Sequence, residues 1–199
     1  MKFLKLLAIL LLTSSTVAWA DGLDLKPDWL MLQYEYRTPY ASAPNPLATK
    51  PNSNGAYTNI GKYLDDGHHI AIDVGLEGLA ANGQTTTATF GRIDTGLTLS
   101  YNGFFLRSAV GEKFTSTTKD GFYSIEPGYK YTINDKWKVW GSYRYRTEFN
   151  DAYHDDTNTV KAGVIYSIDN KTDLGVTYLH LHGDSTDQNG VNVGFTWRF

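Results

Sequence analysis

Apolar and polar residues alternate with a period of two along most of the sequence. From Val191 to Phe199, apolar residues stand at every odd position and polar or small residues at every even position. Residues 69–77 and 159–168 have the same period. Because successive side chains of a β-strand point to opposite faces, each run predicts a strand with one apolar face. We find no segment with helical periodicity.

Ten such runs are candidate strands, and the second is the weakest. Their ranges are 28–37, 55–64, 68–78, 88–101, 104–115, 122–133, 138–149, 159–168, 173–182 and 190–199. Tight connections rich in Asn, Asp and Gly alternate with longer ones when ten strands are counted. Outer-membrane barrels have this alternation and, in bacteria, an even number of strands. Twelve strands would require one run to be split, and eight would require hairpins to be merged.

Alternation alone does not separate a soluble β-sandwich from a membrane barrel, since both have one apolar face. Aromatic residues, however, cluster at the strand ends, as in the aromatic girdles of membrane barrels. They are Trp29, Tyr129, Tyr131, Trp137, Trp197 and Phe199 at one rim, and Tyr36, Tyr143 and Tyr145 towards the other. We therefore predict an all-β, up-and-down antiparallel transmembrane β-barrel whose last strand pairs with the first. A secreted β-sandwich is the alternative.

Pro127 lies inside the predicted strand 122–133. Proline has no N–H to donate to a neighbouring strand, and a closed barrel has no free edge on which it could be placed. We therefore expect a bulge or a local break in the sheet at this position.

The first twenty residues have the composition of a secretory signal peptide. Lys2 and Lys5 precede the apolar run from Leu6 to Leu12. Ala18-Trp19-Ala20 fits the rule that small residues flank the cleavage site. We expect residues 1–20 to be cleaved and residues 21–199 to form the barrel. An uncleaved anchor is the alternative. The expected location is the outer membrane of a Gram-negative bacterium, reached through the periplasm.

The expected partners follow from this location. The lipid bilayer and lipopolysaccharide would surround a barrel that acts as a monomer. Phe199, at the end of an aromatic strand, resembles the signal that the outer-membrane assembly machinery recognises. A formal net charge of -3 argues against a nucleic-acid partner held by bulk charge. The absence of cysteine excludes disulfides and thiolate metal sites.

If the apolar faces meet lipid, the opposite faces line a lumen in which bases outnumber acids. The candidate pore-lining or ligand-binding residues are Arg37, Arg92, Arg107, Lys130, Arg144, Arg146, Lys161 and Arg198. Guanidinium groups suit carboxylate or phosphate ligands, which favours a passage or pocket that attracts anions. In the other interpretation, Arg–Glu networks fill the interior of a small barrel in place of an apolar core.

Three short motifs resemble the oligogalacturonate-specific porins of the KdgM type. They are Ser124-Ile-Glu-Pro-Gly-Tyr129, Tyr143-Arg-Tyr-Arg146 and Tyr34-Glu-Tyr-Arg37, together with the aromatic closing strand. The resemblance implies a small monomeric outer-membrane channel that admits acidic oligosaccharides. Arg144 and Arg146 match the family's pore arginines, and Arg37 matches more loosely. The family's barrel has twelve strands, whereas the alternation here gives ten.

Catalytic and metal-binding constellations are weak. Asp66-Gly67-His68 has the residue types of a membrane protease, but strand parity places it in a periplasmic turn. Ser142 and Ser167 have no histidine nearby in the sequence. Three groups of residues have side chains of the types that bind metals, but we interpret them as solvated. They are His68-His69, His154 with Asp155 and Asp156, and His180 and His182 with Asp184. We expect no enzyme activity, cofactor or metal.

The predicted function is that of a narrow, passive outer-membrane porin that favours anionic solutes such as acidic oligosaccharides. The alternative is a non-conducting, packed barrel with a surface-binding or envelope-stabilising role.

Overall fold

The computed structural model describes residues 26–39, 52–81, 89–114, 119–149, 156–183 and 187–199. These residues form ten strands: β1 Trp29–Pro39, β2 Ser53–Tyr63, β3 Ile70–Ala81, β4 Thr89–Tyr101, β5 Phe104–Phe114, β6 Lys119–Thr132, β7 Trp137–Glu148, β8 Thr157–Ser167, β9 Thr172–Gly183 and β10 Asp187–Arg198. No described segment is a helix long and apolar enough to cross a membrane. The predicted signal peptide, residues 1–20, lies outside the described residues.

The strands form a closed antiparallel barrel. Each strand pairs with its neighbours in the chain, and β1 pairs with β10 to close the ring. At this closure, Leu32 lies opposite Phe195 and Glu35 lies opposite Asn192. The predicted ten-stranded up-and-down barrel and the pairing of its first and last strands are therefore confirmed.

The barrel has charged side chains inside and apolar side chains outside. Glu35 and Asp94 on the inner face are 3% and 4% exposed, whereas Val110 and Phe195 on the outer face are 50% and 42% exposed. In water, burying charge and exposing a continuous apolar surface would both be unfavourable. A bilayer reverses this preference, so the fold is that of a transmembrane β-barrel.

The four connections predicted to be tight all lie at one end of the barrel, which we call the turn end; the opposite end is the loop end. The β4–β5 turn is Asn102-Gly103, with φ of 48° and 85°, as a two-residue hairpin turn requires. In the β2–β3 turn, the backbone N–H of Ile70 donates to the Asp65 carboxylate (2.6 Å) and lowers the pKa of Asp65. In the β8–β9 turn, the N–H of Lys171 does the same for Asp169 (2.8 Å).

At the loop end seven of the ten strands are longer than the apolar alternation predicts, whereas β4, β5 and β7 are each one residue shorter there. β10 begins at Asp187 instead of 190. Outward-facing side chains there are polar, as in the hydrogen-bonded pair His180–Asn189 (3.0 Å). The hydrophobic pattern therefore ends before the hydrogen-bonded ladder does. The connections 115–118 and 184–186 are short as a result, and the predicted alternation of connection lengths is wrong for these two.

Aromatic residues do border the outer surface at both ends, with one exception. At the turn end, Trp137 contacts Tyr166 with ring centroids 4.8 Å apart. At the loop end, Tyr123 and Phe149 are 5.7 Å apart. The assignment of Trp29 to the lipid-facing girdle is wrong, because Trp29 lies on the inner face and its indole N–H donates to Asn59 (3.0 Å). It has the same parity as Glu35 and Arg37.

Pro127 marks a local break and not a bulge. The β6–β7 register is the same on both sides of it, since Ile125 pairs with Tyr145 and Gly128 with Ser142, but the ladder skips the two positions between them. The N–H of Lys130 donates to the carbonyl oxygen of Gly103, which immediately precedes β5. With a period of two, the backbone nitrogen at 127 therefore faces β7, where proline has no hydrogen to donate.

Candidate functional site

Two cavities lie one above the other in the lumen. The central cavity has a volume of about 330 Å³ and is lined by side chains that include Arg37, Arg92 and Arg144. The second cavity, of about 500 Å³, lies at the turn end. Both volumes fall towards the lower part of the range found for small-molecule sites in proteins, roughly 300–1,000 Å³.

One wall of the central cavity is a lattice of ion pairs on β1, β3, β4 and β5. Glu77 joins Arg37 to Arg92 with distances of 2.5 and 2.7 Å. Asp94 joins Arg92 (3.2 Å) to Arg107. At one end of the lattice Arg107 pairs with Asp73 (2.6 Å). At the other end Arg37 pairs with Glu35, two residues before it on the same face of β1. The three predicted arginines on this wall are therefore held by carboxylates.

The lattice is extended by uncharged side chains on β2. Asn59 donates to Asp73 (2.8 Å) and accepts the indole N–H of Trp29 (3.0 Å). Tyr57 accepts a hydrogen bond from the Asn59 amide (3.3 Å). Because buried charges need hydrogen bonds as well as counter-ions, these groups help to hold Asp73 in place.

The opposite wall is formed by β6 to β9. Lys161 pairs with Glu126 (2.8 Å), and the hydroxyl of Ser142 donates to the same carboxylate (2.7 Å). Arg144 lies directly across the β6–β7 pair from Glu126 by register, but its Nη2 atom reaches only Thr159, at 3.4 Å. Its Nε atom has no hydrogen-bond partner. Within the described part of the chain, Arg144 forms no ion pair, although it is only 8% exposed.

Phe122 separates two arginines near the loop end of this wall. Its ring is almost completely buried, with the guanidinium carbon of Arg146 5.5 Å from the ring centroid and that of Arg92 5.9 Å from it. The negative faces of an aromatic ring attract cations. Phe122 therefore allows two like charges to lie close together.

The remaining predicted bases lie nearer the turn end. Lys130 lines the second cavity. Arg198 pairs with Asp173 and also donates to the carbonyl oxygen of Asn170 (3.1 Å). All eight predicted site residues thus project into the lumen. Among the residues that the structure describes, Arg144 is deeply buried and forms no ion pair, and its Nε atom has no hydrogen-bond partner.

The prediction missed three aromatic residues that line the central cavity: Trp29, Tyr57 and Phe105. The alternation of inward and outward residues along each strand could have predicted their direction. Phe105 has the same parity as Arg107, and Tyr57 has the same parity as Asn59. Large aromatic side chains in a predicted membrane barrel were assigned to lipid, or left unassigned, because of their residue type.

The candidate catalytic and metal-binding groups are dispersed. Ser142 is hydrogen-bonded to a carboxylate and not to an imidazole. His180 and His182 face outward beside Asp187, at 3.9 and 3.5 Å. His154, Asp155 and Asp184 lie outside the described residues. In the described ranges, no three His, Asp or Glu side chains are grouped so that they could hold a metal ion.

The fold and this interior define a transmembrane β-barrel with a charged lumen. No family model and no curated protein matches the sequence. Solved structures that resemble it include the translocator domain of the autotransporter NalP from Neisseria meningitidis, with 10% identity over 99% of this chain and 96% of that one and a TM-score of 0.48. The KdgM porin is similar at 13% identity over 86% of this chain and 99% of that one, with a TM-score of 0.45.

A loop-deletion mutant of OmpT, an outer membrane protein of Vibrio cholerae, matches at 15% identity over 84% of this chain, with a TM-score of 0.41. The present chain spans only 62% of the length of that protein. These likenesses are too distant to assign a family, so membership of the KdgM type stays a prediction.

Proposed function

We propose that the protein is a narrow, passive channel of the bacterial outer membrane that favours small anionic solutes and catalyses no reaction. The observation that carries this proposal is the arrangement of charge around the central cavity. The wall formed by β1 to β5 is a lattice of paired charges, whereas the buried guanidinium group of Arg144 on the opposite wall forms no ion pair with any described carboxylate.

An unpaired guanidinium group in a narrow lumen creates a positive potential. The surrounding protein and lipid have a low dielectric constant, so water and salt screen this charge less than they would at an open surface. Such a field raises the local concentration of anions. The paired arginines Arg37, Arg92 and Arg107 contribute less, because each lies against at least one carboxylate. Arg144 is therefore the principal anion contact in this proposal.

Location and partners form part of the same proposal. Residues 1–20 would direct export, the bilayer and lipopolysaccharide would surround a monomeric barrel, and Phe199 would present the strand that the assembly machinery recognises. The resemblance to KdgM-type porins adds acidic oligosaccharides to the candidate solutes.

The test is the reversal potential of the protein in a planar bilayer under a KCl gradient. We expect the wild type to prefer chloride and Arg144→Ser to lower that preference while the barrel stays folded. The matched control is the double variant Arg198→Gln/Asp173→Asn, which removes both members of an ion pair nearer the turn end and leaves the net charge of the lumen unchanged. Its effect on selectivity should be smaller. Absence of conductance, or a preference for potassium in the wild type, would contradict the proposal.

The second candidate is a non-conducting barrel whose interior is packed with ion pairs. The lattice from Glu35 to Asp73 favours it, because the lattice links side chains on four of the ten strands and stands where a soluble protein has an apolar core. In that case the bilayer experiment would show no conductance in the wild type, and the surface of the loop end would carry the function.

A further inference from the structure

Three inward-facing aromatic residues separate the two cavities of the lumen. Trp29, Phe105 and Trp140 line both the central cavity and the cavity at the turn end. They belong to β1, β5 and β7, so they reach the lumen from separate parts of the wall. The central cavity therefore has an aromatic side towards the turn end and a charged side towards the loop end.

Each of these rings lies on a glycine of the adjacent strand. The pairs are Trp29 with Gly61, Phe105 with Gly128 and Trp140 with Gly163. A Cβ atom at Gly128 would lie 2.6 Å from Cε1 of Phe105 and closer still to Cζ, and one at Gly163 would lie 2.8 Å from Cε2 of Trp140 and closer still to Nε1. A Cβ atom at Gly61 would overlap the ring of Trp29. The rings therefore lie against the wall, and space remains beside them for a solute.

Trp140 and Arg144 lie on the same face of β7, four residues apart. The rise of a strand separates their Cα atoms by about 13 Å, and both side chains line the central cavity. Arg144 is more than nine-tenths buried, and its Nε atom has no partner. One strand thus presents an anion-binding group and a flat apolar surface to one enclosed space.

We propose that the central cavity binds a small organic anion that carries a single flat apolar ring, such as an aromatic carboxylate. Its carboxylate contacts Arg144, and its ring packs against Trp140. Guanidinium groups bind carboxylates with strong hydrogen bonds, and offset or edge-to-face contacts between rings add to the affinity. A cavity of about 330 Å³ favours one ring over an oligosaccharide. This inference rests on the proposed function, since it names the solute class of the same lumen.

Binding can be measured by calorimetry with the purified protein in detergent micelles, using benzoate, acetate and galacturonate as probes. We expect benzoate to bind about tenfold more tightly than acetate or galacturonate, because only benzoate contacts both groups. Trp140→Leu should remove this preference, and Arg144→Ser should weaken benzoate and acetate alike. Trp137→Leu is the matched control, because Trp137 lies on the same strand and faces outward. It should bind as the wild type does.

Equal affinity for benzoate and acetate in the wild type would overturn the inference, as would an unchanged benzoate affinity in Trp140→Leu. Folding of each variant is checked by its heat-dependent mobility on a gel. If Trp140→Leu does not fold, Trp140→Met replaces it, because methionine fills more of the space of the indole and still lacks a flat ring. Anion-selective conductance without a preference for benzoate would contradict this inference alone. Benzoate binding without conductance would contradict the proposed channel and leave the binding site standing.

Discussion

The glycine beneath Trp140 offers a direct test of how the lumen is kept open. In Gly163→Ala, the new Cβ atom would lie 2.8 Å from Cε2 of Trp140 and 3.0 Å from the hydroxyl oxygen of Thr177. Comfortable contacts between carbon atoms are about 3.5–4.0 Å. The indole must therefore move by roughly 1 Å, and the free direction is away from the wall and into the cavity. We expect a narrower passage and a lower single-channel conductance.

The stability of this variant has two opposing contributions. Alanine in a strand is favoured over glycine by about 0.5–1 kcal/mol because the unfolded chain loses conformational freedom. Overpacking a filled site costs about 1–3 kcal/mol. Gly175→Ala is the matched control, since its Cβ atom would meet no heavy atom closer than 4.0 Å. Gly175→Ala should gain only the stabilisation from the reduced freedom of the unfolded chain. The free energies of unfolding of the two variants should therefore differ by about 1–3 kcal/mol.

Urea unfolding in lipid vesicles measures the stability difference, and planar-bilayer recording measures the conductance. Equal stability and equal conductance of Gly163→Ala and Gly175→Ala would refute the reasoning, because the two substitutions differ only in what the new methyl group meets. A loss of stability with unchanged conductance would show that the indole moves along the wall and not into the lumen.

Two further predictions concern the sheet and its turns. Pro127→Val should restore a β6–β7 hydrogen bond and raise the free energy of unfolding by about 0.5–1.5 kcal/mol; an unchanged or lower urea midpoint would contradict this. Backbone N–H groups lower the pKa of Asp65 and Asp169 below the ordinary value of 3.8, so their stabilising effect is present above that pH and is lost as the pH falls through the lowered pKa. The double variant Asp65→Asn/Asp169→Asn should lack this part of the acid sensitivity in unfolding measured from pH 6 to 2.

The sequence predicted the strands better than their ends. Apolar alternation locates the part of a strand that faces lipid. All ten predicted strands are present, although the second run is weak and its prediction depends on the alternation of connection lengths. Beyond the lipid, outward residues such as His180 and Asn189 are polar although the ladder continues. At these strand ends both faces are polar, so the hydrophobic pattern does not show where the strand stops. Trp29 shows the opposite error, because the residue type suggested lipid while the parity of its strand pointed to the lumen.

The direction of each lumen base could be predicted, but its partner could not. Across the two-residue turn Asn102-Gly103 the register follows from the turn itself, which sets Thr98 opposite Arg107. Across the longer connections the register is not determined by a turn type, so the pairing of Glu77 with Arg92 could not be derived. The position of a residue in the alternation shows whether its side chain faces the lumen or the lipid. Predicting an ion pair also requires the register of the two strands, which sets the position of each side chain along the barrel axis.

Glu126 illustrates how partner choice decides the charge of the lumen. By register Glu126 lies between two arginines, with Arg107 opposite it on β5 and Arg144 opposite it on β7. Arg107 is instead held by Asp73 and Asp94, and Glu126 is held by Lys161 and Ser142. Arg144 is therefore left over, and this competition produces the unpaired charge on which the proposed anion preference depends.

The variant Glu126→Gln tests this account by changing the acid and leaving every base in place. It frees the ammonium group of Lys161, whose side chain is 18% exposed and lines the central cavity. Lys161 would then join Arg144 as a lumen base without an ion pair among the described residues. The anion preference in reversal-potential measurements should therefore rise above that of the wild type, opposite in sign to the effect of Arg144→Ser. Removing one partner of a buried pair can destabilise a protein by about 3–5 kcal/mol, and partial access to water should reduce that loss here. A folded Glu126→Gln barrel with unchanged or lower anion preference would show that the balance of paired and unpaired charge does not set selectivity in this lumen.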